Sequence, residues 1–169
     1  MSFSMYDASV PMFVRMMNNM SFCLDKAETH ATARKFDPAN YSQLRLAPDM
    51  LPFPRQIQIA CDAAKLAVAR LSGVELAAQE DKETTLPELR SRIATTIELI
   101  KSVPADKIAG TEDKVVTWKQ RGEPMSLAGK DYLLGVAIPN FFFHVTTAYA
   151  ILRHNGVELG KNDFLRGKA

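Results

Sequence analysis

Tyr132-Leu133-Leu134-Gly135-Val136-Ala137-Ile138-Pro139-Asn140-Phe141-Phe142-Phe143-His144-Val145-Thr146-Thr147-Ala148-Tyr149-Ala150-Ile151-Leu152 runs for 21 residues without an Asp, Glu, Lys or Arg. It is long enough to cross a bilayer, yet it carries Pro139, Asn140, His144, Thr146 and Thr147, and no second stretch resembles it. A central bundle helix, buried on most sides, accounts for the same pattern. The fourth helix is therefore expected from near Lys130 to Asn155-Gly156, with no membrane span. A polar tail, Val157 to Ala169, is expected beyond it.

Upstream, Tyr6, Val10, Phe13, Met17, Met20, Leu24, Ala27 and Ala31 step by three and four, which predicts a first helix near residues 5–32. Pro11 belongs in its first turn or else kinks it. Asp37-Pro38 opens an irregular link with room for one short helical turn. Phe53, Ile57, Ala60, Ala64, Val68 and Leu71 mark a second helix that stops at Gly73. Val74–Thr84 is polar, acidic in its middle and aperiodic. Thr85-Leu86-Pro87-Glu88 then reads as a capping box with proline in the first turn, starting a third helix through Leu89, Ile93, Ile97 and Ile100 to about Val103. Lys114–Lys119 reads as a strand, Gly122 as a turn and Met125-Ser126-Leu127 as a return strand.

The expectation is an all-α domain over residues 1–169, a four-helix bundle with a small β-hairpin before the last helix. The linker between the second and third helices has about a dozen residues and spans roughly 40 Å when extended. A 20-residue helix is about 30 Å long. The chain can cross the bundle there, which permits an up-down-down-up order.

Composition excludes little. The chain has 169 residues, 47% hydrophobic and 24% charged, with a net charge of +2 from 21 basic and 19 acidic residues. It is long enough to bury roughly two-thirds of its unfolded surface. No basic block is interleaved with aromatics, so no nucleic-acid partner is expected. Cys23 and Cys61 sit in or beside apolar stripes and read as buried thiols of a reducing compartment. With no basic segment leading into an early apolar run, a cytoplasmic location is expected.

Chemistry is sparse. His144 and His154 lie ten residues apart on one helix, about 15 Å along its axis, so they cannot share a metal ion. Asn140 and Thr147 flank His144 at one-turn spacings. The residues alone leave His144 as a core histidine bonded to Asn140, a ligand contact, or a metal ligand with partners from other helices. His30 and His154, near helix C-termini, read as solvated. Gln58 and Asp62 flank the stripe of the second helix, with Asp62 placed to pair with Lys65. Hydrolase, zinc-protease, Cys-x-x-Cys and phosphate-loop motifs are all missing from the sequence. A Cys61–His144 nucleophilic pair would lack an orienting acid. One ring of Phe141-Phe142-Phe143 should face the core and another a further element or a second copy, so a homodimer is expected.

Several short motifs carry a resemblance: Tyr6-Asp7-Ala8-Ser9-Val10-Pro11, Leu46-Ala47-Pro48-Asp49-Met50, Gln56-Ile57-Gln58-Ile59-Ala60, Asp131-Tyr132-Leu133-Leu134-Gly135, Pro139 to His144, and Leu152-Arg153-His154-Asn155-Gly156-Val157. Across nearly the whole chain the pattern resembles the DinB/YfiT-like superfamily of bacterial four-helix proteins, in an uncharacterised branch. The resemblance implies a divalent metal held by one histidine of the second helix and a His-x-x-x-His pair of the fourth. It also implies thiol-dependent transferase or isomerase chemistry. Carried onto this sequence, those ligands fall near Gln58 and on Asn140 and His144. Two are amides, much poorer ligands than imidazole.

The functional expectation is a small organic ligand bound by Gln58, Asn140 and His144, with no cofactor and no three-histidine metal site. One alternative is a metal-assisted transferase or hydrolase with a reduced ligand set, His144 with Asp62. Another is a structural or interaction protein whose polar cluster sets helix register. Whether the chain is an enzyme stays open at this level.

Overall fold

In the computed structural model, residues 3–120 and 122–168 are described; the end of the expected tail, Ala169, lies outside them. Helix α1 spans Val10–Arg34, α2 Phe53–Ser72 and α3 Leu86–Lys101. Strands β1 (Val115–Gln120) and β2 (Glu123–Ala128) pair antiparallel from Val115↔Ala128 to Gln120↔Glu123. Helix α4 runs over Gly129–His154 and a short α5 over Lys161–Arg166. Four bundle helices and one hairpin match the expected architecture.

Local chemistry sets the ends. Helix α1 begins at Val10 rather than near residue 5, because Pro11 cannot donate and is accommodated within the first turn. The Thr85 hydroxyl accepts from the Glu88 N–H while the Glu88 carboxylate accepts from the Thr85 N–H, completing the capping box. Asp37 caps the 3₁₀ turn Pro38–Gln43 by accepting from the Ala39 N–H at 2.8 Å. Gly73, at φ 80°, ends α2 in the left-handed region.

Pairings along the helices fix their directions. Helices α2 and α4 are antiparallel, since Gln56 meets His144 and Arg70 meets Tyr132. Phe13 packs on Phe141 at 4.8 Å, and Gly156 lies beside His30, so α1 and α4 are parallel. Helix α3 begins where Glu83 accepts from Gln58, and the chain beyond it reaches the far end of α2, where Lys114 donates to the Leu71 carbonyl. So α2 and α3 run parallel and the order is up-down-down-up. The crossing linker is held by Arg92, whose guanidinium contacts Asp62, Asp81 and Glu83 and donates to the Glu80 carbonyl.

The core is one cluster of helix faces, with Phe13, Met17, Leu24, Phe53, Ile57, Leu71, Ile93, Ile100, Phe141 and Leu152 all buried. Two expectations need correction. The polar tail folds back: Asn19 donates to the Phe164 carbonyl at 2.9 Å and Lys26 pairs with Asp163, seating α5 on α1. Helix α4 is not buried on most sides either. Only 39% of its most apolar window is buried, and Leu134 and Phe143 are 52% and 56% exposed. It has the length and hydropathy of a membrane span, but Phe141, Val145, Ala148 and Ile151 pack it into the bundle. Of the three phenylalanines, Phe141 is core as expected, Phe142 is half-buried against it, and Phe143 faces outward.

Candidate functional site

Helix α4 is not a uniform α-helix. Leu133–Ala137 forms a π-turn in which the Ile138 N–H donates to the Leu133 carbonyl, immediately before Pro139. A helix-interior proline removes one hydrogen bond and crowds the carbonyl four residues back; a wider turn relieves that crowding. Such bulges recur at functional sites. Here the bulge forms one wall of a groove of about 490 Å³ between α2, α4 and the hairpin.

Along the α2 wall lie Ile59, Asp62, Ala63, Leu66 and Arg70, a one-face helical spacing. The α4 wall supplies Tyr132, Gly135, Val136 and Asn140, and Trp118 of β1 closes one end. The Tyr132 and Trp118 rings meet in a tilted contact, centroids 5.1 Å apart and planes at 52°. Arg70 donates to the Tyr132 hydroxyl at 2.8 Å, which holds the guanidinium at the aromatic end.

His144 is buried, 8% exposed, as the sequence suggests, but its partner is Gln56 rather than Asn140. Gln56 donates to the Leu51 carbonyl at 2.9 Å, which turns its amide oxygen toward His144 Nδ1, 2.8 Å away. That oxygen can only accept, so His144 carries its proton on Nδ1 and presents a lone pair at Nε2. Among the described residues nothing bonds Nε2, and it keeps contact with solvent. Burial lowers the His144 pKa below the ordinary histidine value, and the nearby Arg55 charge lowers it further. Gln56 was legible in principle, since it falls between Phe53 and Ala60 on the apolar stripe of α2.

The three residues expected to share a pocket are dispersed. Asn140 is exposed and lines the groove. His144 lies one turn further along α4. Gln58 is buried but turned away, accepting from Arg55 and donating to Glu83 under the crossing linker. The void that Gln56 lines with Met17, Ile57 and Val145 is only about 10 Å³, too small to hold more than a single water.

The metal that the resemblance implies does not fit these residues. Among the described residues no group of three His, Cys, Asp or Glu is placed to hold an ion. Asp62 pairs with Lys65 as expected, at 3.2 Å, and also with Arg92 at 3.1 Å. It is six residues from Gln56, about 9 Å along α2, whereas zinc ligands each sit about 2 Å from the ion. A nucleophilic Cys61 does not fit either. Burial pushes its pKa up to about 11. Cys23 is likewise pushed up, to about 12, and both cysteines are free thiols. His154 is exposed as expected, but His30 is half-buried, with Nδ1 2.7 Å from the Tyr41 hydroxyl.

Four bundle helices in up-down-down-up order, a hairpin before the last helix and a seam between α2 and α4 define a DinB-like protein. The chain belongs to the family described as Domain of unknown function (DUF1993), whose model matches residues 5–165. It is similar to a DinB family member protein from Shewanella denitrificans known from a crystal structure. The two are 41% identical, with a TM-score of 0.85, over 95% of this chain and 90% of that one. No curated protein matches the sequence.

Proposed function

We propose that this protein binds a small organic molecule along the α2–α4 seam. The molecule occupies the groove at the π-turn, with Asn140 hydrogen-bonding it from α4, while His144 lies one turn beyond the groove. The observation that carries this reading is the groove itself. A cleft of about 490 Å³ sets apolar walls around an exposed amide, a guanidinium and two aromatic rings in tilted contact. That combination of apolar lining and a few convergent polar groups is the signature of small-molecule sites. The metal-assisted alternative lacks a donor set, and a purely structural role leaves the groove unexplained. Gln58 serves indirectly, by tying the crossing linker to α2 through Glu83.

Gly135 allows a clean test. It lines the groove, and a Cβ built there meets nothing within 4 Å. Gly135→Leu should fill the cleft without disturbing the core. Thermal-shift screening of a small-molecule library should return stabilising compounds for the wild type that Gly135→Leu no longer binds. Compounds that stabilise both proteins equally, or none at all, contradict the proposal.

A further inference from the structure

We infer that the ligand of this groove is a small carboxylic acid with an apolar body, its carboxylate held by Arg70; this rests on the binding function proposed above. Arg70 uses Nη1 to donate to the Tyr132 hydroxyl at 2.8 Å. A guanidinium has five N–H donors in a planar fork. Among the described residues no carboxylate pairs with Arg70, although Arg55, Arg90 and Arg92 each have acidic partners. The guanidinium is thus positioned by one bond, with the rest of its donor edge left for an incoming acceptor.

The charge balance of the groove points the same way. Among the described residues its one acid, Asp62, is already engaged by Lys65 and Arg92. Its cations are Arg70 and Lys119, neither of which has an acidic partner among the described residues. An anion therefore meets net positive charge, and a cation meets a carboxylate already in use. Arginine matches a carboxylate through two parallel N–H···O bonds.

Shape sets the remainder of the molecule. Tyr132 and Asn140 are eight residues apart on α4, about 12 Å along the axis. Between them the walls are Ile59, Ala63, Leu66 and Val136, with Trp118 against Tyr132 at the Arg70 end. The fitting ligand has a carboxylate at one end, a planar or aliphatic body, and a length near 10 Å that reaches the Asn140 amide.

Trp118 is the only tryptophan, so its fluorescence reports on this groove alone. The probes are 4-phenylbutyrate, 4-phenylbutan-1-ol and 4-phenylbutylamine, which differ only in the head group. The carboxylate should shift Trp118 emission and bind at least tenfold tighter than the alcohol, with the amine weakest. Arg70→Gln should erase that preference and Arg70→Lys retain part of it, with circular dichroism showing both variants folded. If the alcohol or amine matches the carboxylate while Gly135→Leu blocks all three, the groove binds but the carboxylate assignment fails. If no probe perturbs Trp118 at millimolar concentration, the assignment and the binding function fall together.

Discussion

Replacing Arg92 with methionine removes the charge that ties the crossing linker to the bundle, and its cost follows from the contacts. The Arg92 side chain is fully buried; Nη2 lies 3.1 Å from Asp62 and 3.0 Å from Asp81, and Nη1 3.2 Å from Glu83 and 3.0 Å from the Glu80 carbonyl. Stranding the partners of a buried charge costs about 3–5 kcal/mol. Asp62 and Asp81 are about a third exposed, at 31% and 35%, and recover hydration, whereas Glu83 is only 17% exposed. Among the described residues Nε is buried without a partner, so Arg92 already carries a penalty that its removal relieves. The net expectation is about 2–4 kcal/mol of destabilisation, or roughly 5–15 °C in Tm for a domain of this size. Calorimetry measures the loss, and hydrogen exchange over residues 74–84 shows where it falls. Adding Glu83→Gln should restore about 1 kcal/mol by removing the most stranded carboxylate. A loss below about 0.5 kcal/mol would refute the reasoning, because that is the scale of an ordinary surface substitution.

Three further predictions rest on separate features. Gly135→Ala should stabilise by about 0.5–1 kcal/mol, since its Cβ has open space on a helix, while Gly129→Ala should destabilise, because its Cβ would lie 2.1 Å from the Thr111 carbonyl oxygen; urea unfolding of the pair checks the contrast. The lowered pKa of His144 means that the unfolded chain binds a proton before the folded one does. Stability from this group is therefore complete above about pH 6.5 and falls as the pH drops toward the folded value, and His144→Phe should flatten unfolding curves in that window. Phe143 and Leu134 project from the uncharged outer face of α4, where the expected second copy would pack; sedimentation should give a dimer for the wild type and a monomer for Phe143→Glu, and a wild-type monomer ends that expectation.

Helix identity was legible because the apolar residues of α1, α2 and α3 recur with the helical period, and because Thr85 and Glu88 spell their own cap. The crossing order was legible only as a permission of linker length; what enforces it is Arg92, which reads in sequence as one more surface arginine on α3. The groove was harder still. Counting from Leu133 and Val136 puts Asn140 on the core side, yet it opens to the groove, at the edge of a π-turn that helical counting does not foresee. Gln58 and Gln56 both lie in Gln56-Ile57-Gln58. Which of them meets His144 depends on the rotation of α2, and that is set by alanines at 60, 64 and 67 packing toward the bundle. Arg70, Tyr132 and Trp118 come from three elements, so no spacing in the chain announces their meeting.

The most direct test of the binding account is a ¹H–¹⁵N spectrum of the protein recorded with and without a mixture of small organic acids. The account predicts shifts confined to Arg70, Trp118, Tyr132, Gly135 and Asn140, spreading weakly to His144, and lost in Gly135→Leu. Shifts centred elsewhere, or persisting unchanged in that variant, would contradict it.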